Sequence, residues 1–222
     1  MCGRFTLAAE SSELEEEFKG IEFPSQFAPR FNIAPSQPVL AICNDGKQAA
    51  DFLLWGLVPS WAKDLSIGAR LINARGETLA EKPAFRGAYK HKRCLIPADG
   101  FYEWKAQPAT KAKLPHFIQL KTRKAFAFAG LWDEWRATDG SVLRTCAIIT
   151  TSPNELMAPI HNRMPVILHA GDFAEWLDKA PRSADSLQHL IGPFPAGMMQ
   201  AYPVSTLVNS PANDTAQCIL PA

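Results

Sequence analysis

Apolar residues recur along this chain mostly in short runs with the period of a strand, separated by turn residues. Pro38–Cys43 and Phe52–Trp55 read as two strands joined at Asn44-Asp45-Gly46, a hairpin signal. Cys94–Pro97, Phe101–Lys105, His116–Leu120, Ala125–Leu131 and Val142–Thr151 continue the series, and Asp139-Gly140 supplies the turn before the last of them. Pro165–His169 and Tyr202–Ser205 read as further strands, and Phe5 and Leu7 alternate like one. Helical periods are fewer. One helix starts near Ser12, with Ser12 and Glu15 spaced as a capping box and Leu14 and Phe18 on one face. Another follows Arg75 over Glu77 to Lys82, until Pro83 interrupts it. Ser152-Pro153 opens a short one, and Asp172–Lys179 and Ser183–Leu190 are two more. The pattern predicts an α+β fold, a single domain over residues 1–222 with a mostly antiparallel sheet or barrel-like core and a few peripheral helices.

Composition narrows the function. Lys plus Arg is 23 against 22 Asp plus Glu, a formal net charge of +1, so any grip on nucleic acid comes from a local patch and not from bulk charge. The five cysteines, Cys2, Cys43, Cys94, Cys146 and Cys218, contain no CxxC pair. That argues against a disulfide framework or a cysteine zinc site and for a reduced, cytoplasmic setting. No metal or cofactor is expected. No apolar stretch reaches membrane-spanning length; the longest, near Ala125–Trp132, reads as a buried strand.

Met1-Cys2-Gly3-Arg4 is the most informative tetrad. Methionine aminopeptidase removes Met before a small residue such as Cys. Cys2 then carries an α-amine and a thiol on adjacent carbons, with reference pKa values near ~7.7–8.0 and ~8.5. A 1,2-aminothiol condenses with an aldehyde to an imine, and the thiol then closes a thiazolidine ring on the imine carbon. Such chemistry wants an acid/base group nearby. Read from composition alone, Cys2 is better taken as a small residue near a chain end, but Phe5 and Leu7 alternate like a strand and Arg4 sits beside it.

Other segments carry weaker signals. Asn73-Ala74-Arg75-Gly76-Glu77-Thr78 sits at a strand-to-helix junction, where an Asn amide can hold a reacting group and Arg75 a phosphate, or where both merely cap a turn. Glu103, among Phe101, Tyr102 and Trp104, is either a carboxylate with a raised pKa or a solvated strand residue. His161, with Arg163 two residues on, is a proton carrier or a structural histidine. Trp55 reads as core, while Trp61, after Pro59-Ser60, is a candidate for stacking an unpaired base. Lys90-His91-Lys92-Arg93 extends a backbone track or forms a solvated face.

Taken in order, these segments resemble the SOS response-associated peptidase (SRAP) family of abasic-site processing proteins. The matching pieces are Met1-Cys2-Gly3-Arg4, Phe31-Asn32-Ile33-Ala34-Pro35, Trp55 to Trp61, Asn73 to Thr78, Arg93 to Trp104, His161 to Pro165, Pro203-Val204-Ser205 and Val208-Asn209, spanning residue 2 to about Asp214. Ser210 departs from the pattern, which has a second Asn there. The resemblance implies a sensor and shield for abasic sites in single-stranded DNA; a monomer is expected by default, in the cytoplasm that the cysteines point to. It implies Cys2, Asn73, Glu103 and His161 as catalytic residues. Cys2 forms the crosslink to sugar C1′, Asn73 orients it, Glu103 shuttles protons and His161 serves as acid/base on the opened sugar. Arg4, Arg75 and Arg163 hold phosphates, Trp61 and Asn32 line the strand's path, and Trp104 and Thr150 complete the DNA-facing set. Schiff-base strand cleavage is implied as a side activity of the same imine. The family's name carries an alternative, a thiol (auto)peptidase built on Cys2, His161 and Glu103, and a non-catalytic reader of modified bases is a third.

Overall fold

The computed structural model describes residues 2–107, 112–183 and 185–222. Along the chain run β1 (Phe5–Leu7), α1 (Ser11–Glu17), β2 (Arg30–Ile33), β3 (Pro38–Cys43), β4 (Ala50–Trp55) and β5 (Asn73–Arg75). Then come α2 (Arg86–His91), β6 (Arg93–Ala98), β7 (Gly100–Ala106), β8 (Lys113–Leu120), β9 (Phe126–Arg136) and β10 (Val142–Thr151). The last are β11 (Met164–Pro165), β12 (Ile167–Leu168), α3 (Phe173–Trp176) and β13 (Met199–Pro203).

The apolar run Val39–Cys43 buries every side chain, and the turn that follows needs the left-handed backbone of Gly46, φ 92°. β3 pairs with β4, with Val39 opposite Leu53 and Ile42 opposite Ala50. On its other side β3 pairs with β6, β6 with β9, and β9 with β10 through the Gly140 turn. β10 then runs parallel to β4. The ring β10-β4-β3-β6-β9 therefore closes on itself, a barrel whose parallel seam is β4/β10, continued along β10 by β5. Closure leaves β6 bonded on both sides and buried throughout, which is why it reads as an unbroken apolar run and not an alternating one.

A second sheet, in the order β13-β8-β7-β1-β2, packs against the barrel. Phe5 of β1 joins the two. It pairs in register with Phe101 of β7, and its ring meets Trp55 edge-on at 5.1 Å and Phe128 at 5.7 Å. Among the described residues, no helix is long and apolar enough to cross a membrane.

The α+β, β-dominated architecture follows the sequence pattern, with local differences. The first helix is capped two residues earlier than expected. Glu10, not Ser12, takes the cap, and its backbone N–H donates to Glu13 Oε2 at 2.9 Å. After Arg75 there is only a single 3₁₀ turn, Gly76–Thr78, and the α-helix begins beyond Pro83 at Arg86. Ser152-Pro153 does not open a helix. The chain turns instead on Asn154, whose Oδ1 accepts from Met157 N at 2.9 Å. Pro165–His169 splits into β11 on β10 and β12 on β9. Residues 172–179 shorten to the 3₁₀ turn Ala170–Asp172 and α3, and of residues 183–190 Asp185–Leu190 form a 3₁₀ helix, Ala184 lying outside the described residues. The final strand ends at Pro203 because Ser205 caps the 3₁₀ turn Thr206–Asn209.

Candidate functional site

β1 carries the chain's beginning to the junction of the two sheets. Cys2, just ahead of it, is fully buried. Its carbonyl accepts a hydrogen bond from Asn73 Nδ2 at 2.8 Å. Asn73 stands on β5, which is short but fixed by parallel pairing to Ile148 of β10 and by the Trp55 indole, whose N–H donates to Ile72 O at 2.9 Å. The other amide atom, Asn73 Oδ1, is buried and takes no hydrogen bond among the described residues.

Glu103 approaches from the second sheet, on β7 opposite His116 of β8, and is 2% exposed. The strand alternation expected here holds: Phe101 enters the main core, while Tyr102 and Trp104 belong to a smaller cluster on the opposite face. His161, in the loop between β10 and β11, places Nδ1 3.9 Å from Glu103 Oε1, and its side chain is 24% exposed. Burial pushes the Cys2 thiol far above its ordinary value, and the charge of Glu103 adds to this. Cys2, Asn73, Glu103 and His161 therefore meet in one place. Cys2 is a member of the main hydrophobic core, with Asn73 bonded to its carbonyl and the charge of Glu103 acting on its thiol. Met1, whose removal the aminothiol chemistry requires, lies outside the described residues.

The expected DNA-facing residues divide into three sets. The first is a knot below the site. Arg4 Nη1 donates to Asn32 Oδ1 at 2.6 Å and to Val208 O at 2.7 Å, and its guanidinium lies 5.8 Å from the centre of the Trp104 ring. Burial lowers the Arg4 pKa. Trp104 Nε1 donates to Asn209 Oδ1 at 2.7 Å. Asn32 is fully buried, and its amide reaches Val208 O, Ser210 O and Asn213 O at 3.2, 2.9 and 2.7 Å. It faces no solvent here, so the expectation that its side chain lines a strand's path meets a buried hub instead. The second set is Arg163 and Thr150. Thr150 is fully buried, and the Arg163 fork closes on Glu77 and Thr150. The third set faces outward. Arg75 is exposed, and Trp61, 60% exposed, shares a shallow depression with Pro83, Arg86 and Gly87 and not with the four central residues.

The charge run Lys90–Arg93 does not act as one track. Arg93 is fully buried and donates to the carbonyls of Tyr89, Lys90, Trp176, Asp178 and Ala180. Two residues of consequence carry no signal of their own in the sequence. Glu77 lies within the Asn73–Thr78 segment but reads as a plain helix former. Asp214 accepts from the backbone N–H groups of Phe31 and Asn32 at 2.5 and 2.8 Å and also pairs with Arg30.

Comparison with known proteins agrees over the whole chain. The model of the SOS response associated peptidase (SRAP) family matches residues 1–211. "Abasic site processing protein YoqW" of Bacillus subtilis (strain 168) is 50% identical over 222 residues, covering 99% of each chain. "Abasic site processing protein HMCES" of Mus musculus is 32% identical over 90% of this chain and 67% of that one. A crystal structure of a protein from Bacteroides thetaiotaomicron superimposes with a TM-score of 0.89 at 26% identity, covering 100% of both chains.

Proposed function

Because the chain belongs to the SRAP family, we propose that it processes abasic sites, capturing them in single-stranded DNA through the N-terminal aminothiol of Cys2. The observation that carries this reading is the convergence of Cys2 with Asn73 on one side and the Glu103–His161 pair, 3.9 Å apart, on the other.

The chemistry follows from what each group can do. The deoxyribose of an abasic site opens to an aldehyde at C1′. Once Met1 is removed, the Cys2 nitrogen is an amine. It adds to that aldehyde and one water leaves, giving an imine. The thiol then adds across the C=N bond, its proton passing to the nitrogen, and the thiazolidine closes without loss of further atoms. Glu103, buried and with its charge acting on the thiol, takes that proton and returns it. His161, partly exposed, protonates the ring oxygen as the sugar opens. Asn73 holds the Cys2 backbone so that nitrogen and sulfur face the same carbon.

A thiol peptidase is the less suited reading. Such an enzyme needs a nucleophile poised as a thiolate beside a cationic histidine. Burial drives the Cys2 thiol the opposite way. Attack by an amine, with the thiol following onto an activated imine, does not need a standing thiolate. The test is a denaturing gel of the Met1-free protein with single-stranded DNA carrying one abasic site. A heat-stable shifted band, lost in Cys2→Ala, is the expected result. Hydrolysis of generic peptides without a DNA adduct overturns it.

A further inference from the structure

Glu77 lies four residues after Asn73, in the turn Gly76–Thr78. Its carboxylate accepts both ends of the Arg163 guanidinium, Nη1 at 2.6 Å and Nη2 at 2.9 Å. A two-pronged contact of this kind fixes orientation as well as distance. The same Nη2 reaches Thr150 O at 2.6 Å and Thr150 Oγ1 at 3.2 Å. The Arg163 side chain is only 16% exposed. Its hydrogen bond holds the Glu77 carboxyl below the ordinary value, so the pair is engaged at neutral pH.

This clamp continues into the site. The backbone N–H of Arg163 donates to His161 Nδ1 at 3.1 Å. Arg163 O lies 3.3 Å from the same nitrogen, so the Arg163 backbone meets Nδ1 whether that atom accepts or donates. Arg163 thus ties three pieces together: the segment that presents Asn73, strand β10 through Thr150, and the loop that presents His161. A guanidinium committed in this way cannot offer the same two prongs to a phosphate.

We propose that Glu77 is a positioning residue for the chemistry of this site, acting through Arg163 to hold the His161 ring in its proton-transferring orientation. The assignment rests on the abasic-site reading above. It also separates two roles for Arg163. If Arg163 serves mainly as a phosphate contact, deleting Glu77 frees it and strengthens DNA binding. If Arg163 is a brace, deleting Glu77 slows the chemical step on DNA that is already bound.

The experiment is single-turnover crosslinking with saturating Met1-free protein and single-stranded abasic DNA, across pH, for wild type, Glu77→Ala, Glu77→Gln, His161→Ala and the Glu77→Ala/His161→Ala double variant. Glu77→Ala is expected to lower the saturated rate on the order of tenfold to a hundredfold, the scale of a displaced catalytic group. Affinity for intact single-stranded DNA should change less than about fivefold, as for loss of one exposed ion pair. Glu77→Gln, which keeps an acceptor oxygen, should recover part of the rate. The double variant should be no slower than His161→Ala, and the pH limb that disappears in His161→Ala should move in Glu77→Ala. A saturated rate in Glu77→Ala equal to wild type, or effects of the two substitutions that simply add, overturns the assignment. The imidazole nitrogen shifts of His161 in wild type and Glu77→Ala report the brace without DNA, so unchanged shifts also overturn it. A wild type that forms no adduct counts against the abasic-site reading alone.

Discussion

Asn32 allows the division between buried hub and DNA contact to be tested by number. Replacing it with Ala removes the amide whose two N–H groups serve Val208 O, Ser210 O and Asn213 O, and removes the acceptor for Arg4 Nη1. The backbone bond from Asn32 N to Asp214 Oδ1 survives. Arg4 keeps Val208 O at 2.7 Å, so the charge is not stranded. Ser210 O keeps the Asn213 N–H at 3.0 Å and Asn213 O keeps the Cys218 thiol at 3.2 Å, so what is lost is four hydrogen bonds and the volume of the amide, with no carbonyl orphaned. An intramolecular hydrogen bond contributes about 0.5–1.5 kcal/mol net, and with every former partner still satisfied the lower end applies to each of the four, so a loss of about 2–3 kcal/mol is expected. For a chain of this length that corresponds to a fall of about 4–12 °C in Tm. Thermal unfolding by circular dichroism, with urea titration as a second probe, measures it. The crosslinking rate at a temperature where the variant is folded should fall only as far as Arg4 shifts. A variant within about 1 °C of wild type in Tm but strongly impaired in binding single-stranded DNA would falsify the hub and restore Asn32 as a direct contact.

Three further outcomes follow from the same geometry. Cys2→Ser retains the amine but cannot form the sulfur ring, so any adduct it makes with abasic DNA should be lost on heating before a denaturing gel; an adduct as durable as wild type sinks the thiazolidine. Arg75→Ala, at an exposed position, should weaken DNA encounter evenly across sequences and reduce the slope of log K against log salt by about 0.7 for each phosphate that the arginine neutralises; an unchanged slope removes Arg75 from the interface. Glu77 has its folded-state pKa below the unfolded one, so its ion pair stabilises the fold above the ordinary carboxylate range and this is lost as pH falls through the lowered value. The stability difference between wild type and Glu77→Gln, read by urea titration, should therefore shrink as pH falls from about 5 to about 3, and a gap that widens contradicts the pairing.

Local signals carry the strands. The β3–β4 hairpin and β10 are bounded by turns whose residues dictate backbone shape, so Pro38–Cys43 and Val142–Thr151 are readable to the residue. The four central side chains are legible as types in suggestive company, and the fold supplies what spacing lacks, the meeting of two sheets around Cys2. Contacts between distant segments are illegible. Residues 77–82 have the composition of a helix, but Glu77 is drawn to Arg163, 86 positions away, and the chain makes one 3₁₀ turn instead. Arg93 looks like the end of a surface charge run because nothing nearby reveals that its donors meet carbonyls on Asp178 and Ala180. Asn32 fails in the same way, since its partners lie beyond residue 207.

The most direct measurement is the intact mass of the species formed when the protein meets a single-stranded oligonucleotide bearing one abasic site. The expected product is one chain lacking Met1 joined to one oligonucleotide, lighter than their sum by a single water, with Cys2 as the modified residue on peptide mapping. An adduct with the same loss of one water that survives heating in Cys2→Ala, or one formed by chains that still begin with methionine, contradicts it.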